Sequence, residues 1–180
     1  HSFPTRRSSD LYVPDGTNTS FYVPLGVSIN KNPSSPNFGK VYISEAQGAR
    51  VAVGYRTTKS GIYVLNADGS DAGWANGGVD WSSLTGTPLF KSTIGPDDHL
   101  YVADLSRDLA FEFNDDLSVA TQLIDESNRI GLQYVHSIHV EGTRAGGDRR
   151  IYLVNGNYDD FTGKGLIRYD LGAEAMATPY

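Results

Sequence analysis

The chain of 180 residues has no cysteine, a single methionine and two tryptophans. Without cysteine there can be no disulfide, no thiolate nucleophile and no thiolate metal ligand. No apolar run approaches the roughly 20 residues that a membrane-spanning helix requires. No stretch keeps the 3.6-residue periodicity of an amphipathic helix either. Positive charge is scarce and scattered, since 15 Lys and Arg stand against 21 Asp and Glu for a net charge of −6. Binding a phosphate backbone needs concentrated cations, so this balance argues against nucleic acid as a partner. The GxSxG, HExxH, P-loop and dinucleotide fingerprints are missing as well, which removes the sequence signatures of the commonest hydrolases and nucleotide enzymes.

What the chain does have is repetition. Residues 94–118, IGPDDHLYVADLSRDLAFEFNDDLS, hold a Pro-Asp-Asp turn, an apolar run, a polar break, a second apolar run and an Asn-Asp turn. The same order recurs in FGKVYISEA and SGIYVLNADGS over residues 38–70, and in GGDRRIYLVNG and GKGLIRYDLG over residues 146–172. Tyr42, Tyr101 and Tyr152 are the equivalent anchors, separated by 59 residues (42 to 101) and 51 residues (101 to 152). Each is flanked by aliphatic residues, and each is followed three positions on by an oxygen-bearing side chain: Glu45, Asp104 and Asn155.

A strand whose alternate residues are all apolar must be covered on both faces. That holds for Leu100-Tyr101-Val102-Ala103 and its equivalents. The third strand of each repeat carries a more polar position (Val64, Glu112, Arg168), which predicts a place nearer the rim. Sheets stacked face to face around an axis meet these demands, so the expected fold is all-β: a partial β-propeller of four-stranded antiparallel blades. A β-sandwich is the alternative, but it needs no such long-period recurrence. The blades are expected at about residues 24–72, 88–124 and 134–172 of a propeller region spanning residues 12–180.

The G-V-x-I pattern, then G-x-L-Y-V-A-D, then an aliphatic and aromatic strand resembles NHL-type and related six-bladed propeller repeats. GPDDHLYVAD at residues 95–104 carries the resemblance best. It implies a scaffold that hosts binding proteins, lactonases and lyases alike, so it points to a fold and not to one reaction. Because a closed propeller of six or seven such blades needs on the order of 300–400 residues, the remaining blades are expected to be missing from this chain. The leading HSFPTRRSSDL, residues 1–11, shares nothing with the repeats. It resembles translated sequencing-adapter read-through at the ends of metagenomic contigs, and is expected to be a non-native or disordered tail. Abundant Gly, Asn, Asp, Ser and Tyr suit a secreted bacterial β-protein, so an extracellular or periplasmic location is expected.

Antiparallel alternation puts the ends of the three tyrosine strands on one face. The expected recognition surface comprises Glu45, Arg56, Asp104, Arg107, His136, Asn155 and Tyr158, because the insertions at residues 46–60 and 159–165 converge there with aromatic and arginine side chains. The expected ligand is a protein or glycan, with no cofactor. The alternative is a Ca²⁺-dependent lactonase, hydrolase or lyase with metal ligands Glu45, Asp104 and Asn155, as the resemblance to lactonase-like propellers implies. His136 and His139 lie three apart in a strand and so should point to opposite faces. His99 is expected to be exposed in a turn. Asn66-Ala67-Asp68-Gly69-Ser70-Asp71 looks superficially like a calcium loop, but its equivalents lack the ligands, and a hairpin turn is expected. Trp74 and Trp81 lie in the linker between the first two repeats, either packing there or stacking on a ligand.

Overall fold

The computed structural model describes residues 24–45, 61–70, 72, 78–80, 89–104, 109–117, 120–124, 135–156 and 165–173. The tail over residues 1–11, Trp74, Trp81, and the candidate site residues Arg56, Arg107 and Tyr158 lie outside them. The described residues form strands only: β1 (Pro24–Ile29), β2 (Val41–Glu45), β3 (Gly61–Leu65), β4 (Gly78–Asp80), β5 (Leu89–Ile94), β6 (Leu100–Asp104), β7 (Leu109–Phe113), β8 (Ala120–Ile124), β9 (Val135–Glu141), β10 (Arg150–Asn155) and β11 (Gly165–Asp170).

These strands make three antiparallel meanders, β1-β2-β3-β4, β5-β6-β7-β8 and β9-β10-β11. Hairpin connectivity explains the order, because Asn66, Gly95, Asn114, Gly142 and Gly156 follow described strands with turn residues that suit a reversal of the chain. The anchors occupy the same place in each sheet. Tyr42 pairs with Ser28 and Val64, Tyr101 with Thr93 and Glu112, and Tyr152 with His139 and Arg168.

The sheets meet face to face. The tyrosine face of the first sheet (Tyr42, Ile62, Val64) buries against Leu100, Val102, Phe111 and Phe113 of the second. The tyrosine face of the second (Tyr101, Ala103, Ala110) buries against Ile138, Val140, Ile151 and Leu153 of the third. A middle sheet covered on both sides is why β6 and β7 are buried along their whole length. The all-β fold with stacked blades is therefore observed, and a two-sheet sandwich is not.

One inference from polarity needs correcting. Glu112 sits in β7 with only 3% of its surface exposed, so its charge does not mark a strand near the rim. It is a buried carboxylate held by cations from the next sheet.

Candidate functional site

Each sheet has two ends, and the end carrying Glu45, Asp104 and Asn155 is built the same way three times. These residues close β2, β6 and β10, and all three are buried. A buried oxygen-bearing side chain must be hydrogen-bonded or paired to offset its lost hydration. None of the three is free of partners.

Opposite each of them the first strand slips by one residue. Pro24 pairs with Glu45 but Gly26 with Ser44, Leu89 pairs with Asp104 but Lys91 with Ala103, and Val135 pairs with Asn155 but Ser137 with Val154. The skipped residues are Leu25, Phe90 and His136. A bulge re-aims the side chain it carries. In the third sheet that side chain is an imidazole, half-buried, and it lies so close over the backbone of Gly156 that a Cβ there would come within 2.9 Å of the ring. Glycine at position 156 is what lets His136 settle beside Asn155. The bulge also changes the relation of His136 to His139, which sits in regular register opposite Tyr152 and is exposed.

The opposite end is occupied by polar latches between sheets. The β1–β2 connection reaches the second sheet through three amides: Asn30 and Asn32 donate to Asp98 Oδ1 at 3.1 and 3.2 Å, and Asn37 donates to the Asp115 carbonyl at 3.0 Å. Between the second and third sheets, fully buried Arg149 donates to Glu112 Oε2 at 2.6 Å and to the Tyr101 hydroxyl at 3.2 Å. Arg144 adds a second cation at 3.2 Å from the same oxygen. On the other carboxylate oxygen, His99 Nδ1 lies at 2.7 Å, and Tyr101 donates to Asp97 at 2.9 Å.

His99 is thus part of a packed cluster, not an exposed turn residue as its Asp-rich setting suggests. Its bond to Glu112 raises its pKa above the ordinary 6.5, burial opposes this, and Asp97 adds to the rise. Burial pushes Glu112 up, but the bonds from His99 and Arg149 and the nearby Arg144 outweigh it and hold the carboxyl below its ordinary 4.5. Burial drives the Tyr101 phenol up. Asp97, His99 and Glu112 place ligand atoms within 4.8 Å of one another. Two guanidinium groups already neutralise that cluster from one side, so its chemistry is that of an ion-pair network between sheets.

Sequence reasoning missed this network. Its one signal was Glu112 standing where the other repeats have Val64 and Arg168, with arginines waiting in the next repeat's Asp148-Arg149-Arg150. The loop over Asn66–Ser70 closes as a tight turn, with Gly69 donating to the Asn66 carbonyl and Asp68 accepting from the Ser70 amide and hydroxyl.

A groove of about 550 Å³ runs along the inner strands β1, β5 and β9, lined by Val27, Ile29, Asn32, Ser92, Pro96 and His139 among others. It opens beside the polar latches, not at the end that carries Glu45, Asp104 and Asn155.

No protein-family model and no curated protein matches the chain. Among solved structures, the Dos1 propeller is similar over 87% of this chain and 48% of its own, at 13% identity and a TM-score of 0.47; this chain spans about half its length. A protein of unknown function from Bacteroides caccae is similar over 87% of this chain and 80% of its own, at 15% identity and a TM-score of 0.37.

Proposed function

We propose that this chain is a secreted or surface-associated β-propeller module that binds a protein or glycan at the end of the sheets bearing Glu45, Asp104, His136 and Asn155. The observation that carries the reading is His136 on its bulge, laid over Gly156 beside Asn155. The equivalent bulge positions hold only Leu25 and Phe90, so the third sheet alone places a hydrogen-bonding ring there. The opposite end is committed to latches between sheets, which leaves this end for recognition. The insertions with Arg56 and Tyr158, and the short connection with Arg107, depart from it in sequence.

The test is a titration of the chain with a panel of oligosaccharides and peptides, read by NMR at His136 and Gly156. Binding should perturb both, and Gly156→Ala, which forces the ring aside, should weaken it at least tenfold with little change in melting temperature. Perturbation confined to the groove around Asn32 and Pro96 would move the site elsewhere. Three oxygen-bearing groups on one end also favour a second reading, Ca²⁺ held by Glu45, Asp104 and Asn155 in a lactonase, hydrolase or lyase. A Ca²⁺-dependent rise in melting temperature that Asp104→Ala abolishes would replace the binding-module reading with that one.

A further inference from the structure

The inner strands carry a repeat of their own. Opposite the anchor tyrosines stand Ser28, Thr93 and His139, and an aliphatic residue follows each one: Ile29, Ile94 and Val140. All six line the groove of about 550 Å³ along β1, β5 and β9. A volume of that size suits a small molecule, whose sites are mostly apolar with a few placed polar groups. The polar groups here are donors. Lys31, just past β1, brings an ammonium to the same groove; Thr93 brings a hydroxyl, and the His139 imidazole donates in either protonation state. No Asp or Glu lines the groove, although acidic residues outnumber basic ones 21 to 15 in the chain. The acidic side chains of the adjoining turns are engaged elsewhere: Asp97 accepts from Tyr101, Asp98 from Asn30 and Asn32, and Glu141 from Tyr152. Ser28 and Ser92 bond to each other at 2.6 Å. Among the described residues the side chains of Lys31, Thr93 and His139 have no hydrogen-bond or ion-pair partner.

We propose that this groove is a second binding site, which takes a small organic acid with an apolar body: its carboxylate met by the donors of Lys31, Thr93 and His139, its body laid on Val27, Ile29 and Ile94. Charge and polarity both point to that class. A carboxylate accepts charge-assisted bonds from a cation and an imidazole and needs no acceptor in return, which matches a lining that offers donors and no carboxylate. A fully polar anion would leave the aliphatic residues in water, where Val27 is 65% exposed and Ile29 47%. The site shares no residue with the end that bears Glu45, Asp104, His136 and Asn155, so the two readings stand or fall separately.

The probe is octanoate, titrated into the full chain and followed by NMR, with 1-octanol and octylammonium as neutral and cationic controls of the same length. Octanoate should shift Lys31, Thr93 and His139 saturably and leave His136 and Gly156 in place, while both controls bind more weakly. Lys31→Gln and His139→Gln alter exposed side chains, so the fold should survive; each should weaken octanoate about tenfold, the worth of a hydrogen bond to a charged group. Thr93→Val keeps the shape of the side chain and removes only the hydroxyl, and should weaken it about threefold. Octanol binding as tightly as octanoate would reduce the groove to an apolar surface and overturn the carboxylate assignment. Shifts confined to His136 and Gly156, no saturable shift at all, or an affinity unchanged in Lys31→Gln with His139→Gln would each overturn the site.

Discussion

His99 and Glu112 hold each other in their charged forms, and this gives stability a defined pH dependence. His99 has a raised folded pKa, so its contribution is full below 6.5 and is lost as pH rises through the folded value. Glu112 has a lowered one, so its contribution is full above 4.5 and is lost as pH falls through its folded value. Melting temperature should therefore fall as pH rises from 6.5, and the fall should be smaller in His99→Gln; an identical slope in both proteins would contradict the assignment. Arg149→Ala leaves the Glu112 carboxylate buried beside its weaker partners and should cost about 3–5 kcal/mol in urea unfolding. Replacing the pair together, as Glu112→Leu with Arg149→Met, should cost much less, because no lone charge is left behind. Tyr169 is the counter-example. Burial pushes its phenol up to about 12, and its hydroxyl has no hydrogen-bond partner among the described residues. Tyr169→Phe should be neutral or stabilising by about 1 kcal/mol, and a clear destabilisation would reveal a partner. None of these pairings was legible in sequence, because Glu112 and Arg149 are 37 residues apart and meet only once two sheets have stacked.

Strands were easier to read. The flanked tyrosines and the alternation around them depend on local side-chain period, which sequence displays directly. The bulges did not show, since a bulge is a slip in pairing between two strands and leaves no mark in either one alone. Only the register shows that His136, Leu25 and Phe90 occupy equivalent positions. Turns fall between these cases. Gly69 has φ of 86° and Leu117, its equivalent, has φ of 60°; leucine tolerates the left-handed conformation there with its side chain buried in the first junction. Adding a methyl group separates two kinds of glycine. At Gly69 it meets nothing within 4 Å, so Gly69→Ala should cost about 1 kcal/mol through backbone conformation alone. At Gly142, with φ of 67°, it would sit 2.4 Å from the Asp148 carbonyl oxygen, so Gly142→Ala should cost distinctly more and loosen the loop that delivers Arg144 and Arg149. Equal losses from the two would contradict the close approach.

At the scale of the molecule, stacking determines everything that function draws on: it brings Glu45, Asp104 and Asn155 to one end and puts the latches at the other. The repeated grammar predicted that stacking because a strand apolar on both faces cannot rest with one of them in water. What it could not predict was the division of labour between the two ends, since the structural latches and the recognition candidates are built from the same Asn, Asp, Glu, Arg and His residues. The face-to-face junction is tested most directly where Ser28 and Ser92 bring their hydroxyl oxygens to 2.6 Å across 64 residues of chain. With both changed to cysteine in a protein that has none, air oxidation should close an intramolecular disulfide nearly completely. Because it would close a loop of that length, it should raise stability by up to about 4 kcal/mol, read by intact mass, thiol titration and denaturant unfolding. Two thiols that remain free in the folded protein would contradict the stacking of the first sheet on the second, and with it the propeller architecture on which the account rests.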